Sequence, residues 1–202
     1  MYPALLATFS SDTLIEGMAV VSGIASVWYS RKENVWVYPL GLINTIIYTW
    51  ISFVAELPGE AVVNFYYTVM SVYGWYCWLQ RTEQNEKRIQ IRYSSARYWV
   101  AQIVFFTACY LALYFSLVYL KEEFFEGAIP WADALASAAA FTGMWLMTQK
   151  KVESWYWWLL TNITAVPLYY SKGLVLTSGY YLVLTGLAIA GLIEWKKRAQ
   201  RT

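Results

Sequence analysis

The sequence predicts an all-α fold of the polytopic membrane class: seven transmembrane helices arranged as two parallel three-helix bundles joined by a linker helix (3+1+3). Three observations lead there. Hydrophobic residues make up 59% of the 202-residue chain and charged residues 14%, against roughly 25% charged in a soluble domain, and the mean hydropathy is +0.38. Apolar stretches recur at intervals of about 20 residues, the length at which a helix crosses a bilayer with every backbone amide satisfied internally. The two halves of the chain also repeat one another.

After an N-terminal segment (1–12), the first span reads Thr13 to Ser30 and ends at the charged turn Arg31-Lys32-Glu33-Asn34. The second, Val35 to Val54, stops at Glu56-Leu57-Pro58-Gly59-Glu60, where proline and glycine break a helix. Ala61 to Leu79 closes the first bundle (13–81) and gives way to a polar run from Arg81 to Arg97. That basic loop and a fourth helix, Tyr98 to Tyr119, form the linker region (82–129). The second bundle (130–195) holds Pro130 to Thr148, Val152 to Ser171 and Gly173 to Trp195, and a basic tail (196–202) follows. Met1 to Ser11 lacks the basic start of a cleavable leader. Cations collect in loops 1–2, 3–4 and 5–6 and in the tail, against Lys121 and Lys172 on the other side. The positive-inside rule therefore places the N-terminus outside and the C-terminus in the cytoplasm, the parity that seven spans require.

The repeat lays Asn64 to Arg81 on Tyr181 to Arg198, so that Thr68, Gly74, Trp78 and Arg81 fall on Thr185, Gly191, Trp195 and Arg198. Upstream, Val35-Trp36-Val37-Tyr38 with Asn44 matches Ser154-Trp155-Tyr156-Trp157 with Asn162 after a one-residue adjustment. The single helix between the halves makes them run in the same direction. Parallel repeats of this kind belong to a transporter architecture with the substrate near the midplane, at the repeat interface.

The chain has no histidine, so a Ser-His-Asp or Cys-His triad, a His-based zinc site and a His-ligated haem are excluded. Its two cysteines, Cys77 and Cys109, lie in apolar stretches and support neither a disulfide framework nor a four-cysteine metal site. No enzymatic activity, cofactor or metal is expected.

In helix 3, Glu60, Asn64, Tyr67 and Ser71 share one face by their spacing of three and four. Polar groups at that depth are costly against lipid and point to protein or a cavity, as ligand contacts or as inter-helix glue; Glu60 fits a solvated helix start as well. Helix 6 sets Trp155, Trp158, Asn162 and Tyr169 down one face, with Pro167 able to kink it near a site. Trp157 and Tyr156 read as the aromatic belt of the inner interface. Asn44, with Tyr48 one turn on, is expected opposite Asn162, two amides gripping one small polar ligand. Gln102 in helix 4 either snorkels to the surface or joins the pocket, and Ala134 to Ala140 reads as close packing. The Arg81–Arg97 loop suits anionic lipid heads, with no nucleic-acid role. Neutral polar residues dominate the spans, without the ionisable pairs of a proton relay, which points to a facilitator. Aromatic faces with amides suit a flat heteroaromatic ring attached to a hydroxyl-rich group, with cation–π attraction added where the ring is positively charged, and the lack of Arg or Lys within the spans disfavours a phosphorylated ligand.

Asn64-Phe65-Tyr66-Tyr67, the block Ser71-Val72-Tyr73-Gly74-Trp75-Tyr76 with Trp78, the stretch Trp36 to Asn44 and Glu153 to Tyr170 resemble the PnuC family of bacterial vitamin transporters, best known for nicotinamide riboside. The resemblance runs from helix 1 to Trp195. It implies a SWEET-like pair of parallel triple-helix bundles in the bacterial inner membrane, a homotrimer, and facilitated diffusion of an unphosphorylated precursor that a kinase traps inside. Relatives carry thiamine or riboflavin on the same frame. A SWEET-like sugar facilitator or a seven-helix receptor are the other readings, although helix 7 offers no lysine for retinal before Lys196.

Overall fold

The computed structural model describes residues 2–54, 58–124, 129–173 and 175–201, with side chains at 15, 17–50, 62–119, 129–173, 175 and 177–201. Among these the chain forms seven helices: α1 Tyr2–Arg31, α2 Val37–Val54, α3 Pro58–Leu79, α4 Ala96–Phe124, α5 Pro130–Thr148, α6 Ser154–Ser171 and α7 Val175–Ala199. The segment expected ahead of the first span is, from Tyr2 onward, the beginning of α1. Helices α4 and α7 each continue past their expected C-terminal ends, to Phe124 and Ala199. α6 stays helical through Pro167, so the expected kink does not unwind it. The side chain of Glu60 lies outside the described residues.

Hydropathy and length alone single out Ala96–Tyr119 and Thr177–Ala199 as spans among the described residues. The other helices are diluted by the polar and small residues with which they face one another, the expected composition where helices pack in lipid.

Helix packing closes six helices into a ring. α2 packs on α1 and α3, α6 on α5 and α7, and the two triples meet along α1–α7 and α3–α5. α4 lies outside the ring against α5. Each helix pair of the first half has its counterpart in the second, so the ring has a pseudo-twofold axis between the bundles.

Individual contacts repeat at one constant offset, the one that carries Trp78 onto Trp195. Tyr38 packs edge-on to Trp78 at 5.1 Å and 86°; its counterpart Trp155 packs edge-on to Trp195 at 5.5 Å and 89°. A Cβ on Gly74 would sit 2.4 Å from the Tyr38 ring, and one on Gly191 2.5 Å from Trp155, which is why both positions are glycine. The indole of Trp78 donates to the Thr148 carbonyl at 3.2 Å, and that of Trp195 to the Arg31 carbonyl at 3.1 Å. Each of these two bonds ties the last helix of one bundle to the first helix of the other.

Candidate functional site

Within the ring the repeat places residues differently from the sequence alignment. At the constant offset, with no adjustment, Asn44 corresponds to Thr161 and Asn162 to Thr45. The hydrogen bonds agree: Asn44 Nδ2 donates to the Ala19 carbonyl at 2.7 Å, and Thr161 Oγ1 to the Ala136 carbonyl at 3.2 Å. The two asparagines are therefore not symmetry mates. Asn44 secures α2 to α1 as Thr161 secures α6 to α5.

Asn162 is 3% exposed, a buried amide one helical turn beyond Trp158 and so on the same face of α6. Tyr67 of α3 lies 6.2 Å from Trp158 of α6 and 6.2 Å from Phe141 of α5, and Tyr66 donates to the Phe141 carbonyl at 3.0 Å. Tyr169 stacks on Tyr181 at 5.2 Å and 11°, and Tyr180 abuts Tyr181 at 5.6 Å. Tyr67 lies near the phenols of Tyr169 and Tyr180, and Tyr180 near that of Tyr48. The position a Cβ on Gly23 would take is 2.6 Å from the Tyr180 hydroxyl and 2.8 Å from Asn44 Nδ2, so a glycine on α1 makes room for both. All six ring helices thus contribute to one aromatic and amide-bearing cluster. Tyr67, Trp158, Tyr169, Tyr180 and Tyr181 are only half-buried, leaving ring surface for a flat ligand to cover. Asn64 sits one turn before Thr68, whose hydroxyl donates to the Asn64 carbonyl at 3.0 Å and lies 2.9 Å from Thr45 Oγ1.

Three expected site residues have other surroundings. Trp155 is 1% exposed and joins Tyr38, Trp78 and Trp195 in a layer on the loop 1–2 and 5–6 side. It lies roughly 10 Å along α6 from Asn162 by the helical rise, and so forms a floor beneath the cluster. Gln102 is fully buried and occupied: it accepts from Trp157 Nε1 at 3.0 Å and donates to Ser94 Oγ at 2.9 Å. It fastens α4 to α6 outside the ring. The same bond corrects the reading of Trp157 as an interfacial belt residue, since burial of an indole requires a partner for its N–H; Tyr156 remains exposed, under Lys196. Ser71 is buried against Gly41, its Oγ 3.7 Å from where a Cβ would be, a position between α2 and α3.

Tyr180, Tyr181 and Phe141 are the residues that sequence reasoning passed over. The adjacent phenols in an otherwise apolar α7 were the available signal, because a polar group at membrane depth seeks the bundle interior. Among the described residues no group of three or more Cys, Asp or Glu side chains is placed to hold a metal.

Comparison with known proteins gives this frame a family. The "Nicotinamide riboside transporter PnuC" of Escherichia coli K12 is 27% identical, over 92% of this chain and 86% of its own. The "Riboflavin/roseoflavin transporter RibM" of Streptomyces davaonensis is 21% identical, over 90% of this chain and 84% of its own. Among solved structures, one described as the "Crystal structure of the Vitamin B3 transporter PnuC" superposes with a TM-score of 0.73 at 21% identity, covering 98% of this chain and 87% of that one; it shares the fold. The family described as "Nicotinamide mononucleotide transporter" matches residues 13–197. That match reaches into each of the six ring helices and takes in α4 outside the ring, and the chain belongs to this family of multi-pass membrane transporters, the PnuC family.

Proposed function

We propose that the protein carries nicotinamide riboside across the bacterial inner membrane by facilitated diffusion, and that phosphorylation inside the cell retains it. The observation that carries this reading is the convergence of Tyr67, Trp158, Tyr180, Tyr181 and the buried amide of Asn162 from both halves of the ring. Aromatic faces attract a pyridinium ring, and an amide matches a carboxamide or ribose hydroxyl. Two of the named relatives differ in cargo, one carrying nicotinamide riboside and one riboflavin; the higher identity favours the former.

Uniport is supported by where the ion pairs lie. Among the described residues they join Glu33, Glu194 and their cations at one end, and Lys172 to Asp133 at the other, with none inside the aromatic cluster. The distribution of cations supports a cytoplasmic location for loops 1–2, 3–4 and 5–6. A homotrimer is supported by α4, which packs on α5 and leaves Val100, Ile103, Val104, Leu111 and Phe115 exposed; light scattering in detergent tests it. The decisive test of function is uptake of labelled nicotinamide riboside into proteoliposomes, with riboflavin and thiamine as competitors. Saturable uptake that only nicotinamide riboside competes is expected; uptake of riboflavin alone would transfer the assignment to that vitamin.

A further inference from the structure

On the loop 1–2 and 5–6 side, two residues of the repeat meet their own counterparts. Ser30 corresponds to Met147 at the constant offset, and Ser30 Oγ lies 3.0 Å from Met147 Sδ. Glu33 corresponds to Lys150, and Lys150 Nζ donates to Glu33 Oε1 at 2.6 Å. Under a twofold, a residue touches its own mate only next to the axis, so these contacts sit where the bundles close on each other.

The backbone there is the same in both halves. Glu33 N donates to the Ser30 carbonyl and Asn34 N to that of Tyr29; Lys150 N donates to Met147 and Lys151 N to Leu146. This pattern is the Schellman cap, whose left-handed residue is usually glycine. Here those residues are Glu33 at φ 57° and Lys150 at φ 52°. Both caps forgo the residue that suits them, and both gain the side chain that makes the pair.

Lys150 is 1% exposed and its ammonium lies 4.8 Å over the Trp78 ring. Burial pushes its pKa down, against the pull of Glu33. The Glu33 carboxyl is raised by burial but held below its ordinary value overall by Lys150 and Lys87. Glu33 also meets Lys87 at 3.1 Å and Arg198 at 3.3 Å, so loops 1–2, 3–4 and 5–6 and the end of α7 converge on one carboxylate. A cleft of about 360 Å³, lined by Glu33, Glu86, Lys87, Gln90, Ile91 and Arg198, opens beside it.

We propose that Glu33 and Lys150 are the latch of the cytoplasmic gate, a repeat-related ion pair on the pseudo-twofold axis that parts whenever the central cluster opens toward the cytoplasm. The proposal rests on the transporter reading above, because only a protein that opens between its bundles has to break this pair. The floor of Tyr38, Trp78, Trp155 and Trp195 lies beneath the cluster, and the latch joins the two bundles that carry it.

Ser30→Cys, in a chain with Cys77→Ala and Cys109→Ala, places a thiol of near-serine size in the seam. Its rate of modification by a charged, membrane-impermeant thiosulfonate is measured from each face of reconstituted vesicles, alongside nicotinamide riboside uptake. Slow labelling from the cytoplasmic face is expected, about tenfold faster with Glu33→Gln and faster still with Glu33→Lys. The exchange Glu33→Lys with Lys150→Glu is expected to slow it again. Arg198→Gln, which leaves the central pair intact, is the milder variant and should give a smaller increase. Unchanged labelling in folded Glu33→Gln and Arg198→Gln, an exchange that labels as fast as Glu33→Lys, or labelling only from the outer face would each overturn the latch. Absence of nicotinamide riboside uptake by the wild-type chain, with latch-dependent labelling intact, would instead count against the transported ligand.

Discussion

Trp158 and Asn162 stand one helical turn apart on α6, one offering a ring face beside Tyr67 and the other a buried amide. Trp158→Ala removes the face and is expected to weaken nicotinamide riboside binding by about 2 kcal/mol, the scale of a desolvated cation–π contact. Asn162→Leu keeps the volume but strips the hydrogen-bonding groups, for an expected loss of about 1 to 3 kcal/mol. Calorimetry on folded protein checks both, and wild-type affinity in each would move the site elsewhere. Asn44 behaves differently because its Nδ2 is already spent on the Ala19 carbonyl. Asn44→Leu should therefore lower thermal stability more than affinity. That distinction was illegible in the sequence, where both amides sit at similar depth and only the three-dimensional register separates Thr161 from Asn162 as the partner of Asn44.

At the scale of elements, small residues decide how closely helices approach. Gly191→Ala drives a Cβ to within 2.5 Å of the Trp155 ring, and overpacking of this kind costs about 1 to 3 kcal/mol; a fall in melting temperature with ligand selectivity retained is expected. α4 depends on a different device. Gln102 bridges Trp157 and Ser94, and Ser94 in turn donates from its backbone N and its Oγ to Glu153, each at 2.9 Å. Gln102→Leu orphans a buried indole N–H, so about 1 to 3 kcal/mol of stability should be lost while binding survives, as thermal melts with and without ligand would reveal. The helices themselves were legible because apolar length and charged breaks mark them. Their inward faces were legible in part, through polar residues at spacings of three and four, as for Tyr67. The role of Gln102 was not, because one amide on an otherwise apolar helix reads equally as snorkelling or pocket until its partners are located.

For the whole molecule, the electrostatics of the ring set what crosses. Lys172 approaches the cluster, 5.9 Å from the Tyr169 ring, but both oxygens of Asp133 hold it, at 2.8 and 3.0 Å. A phosphate entering the cluster would shed water without gaining an unclaimed cation, a penalty of several kcal/mol per buried ion. Nicotinamide riboside is therefore expected to bind at least a hundredfold more tightly than its 5′-phosphate, at about 1.4 kcal/mol per tenfold; comparable affinities in calorimetry would refute this account. Transport should run in either direction down the substrate gradient and ignore protonophores and sodium. Accumulation of unmodified substrate driven by an imposed ion gradient would exclude uniport.

The sequence alone determined the membrane class, the seven helices and the parallel repeat, because bilayer thickness and backbone hydrogen bonding translate directly into the length and polarity of a segment. It also led to Tyr67, Trp158 and Asn162 as candidates, since polar and aromatic residues at membrane depth are costly anywhere but inside. Only the tertiary structure decided that Trp155 belongs to a floor, that Tyr180 and Tyr181 of α7 complete the cluster, and that Lys150 is buried against Glu33. In the sequence Lys150 is one more cation of a basic loop. Its meaning arises from the fold, since only the folded ring brings a lysine and its repeat counterpart to the same point beside an axis that neither segment defines by itself.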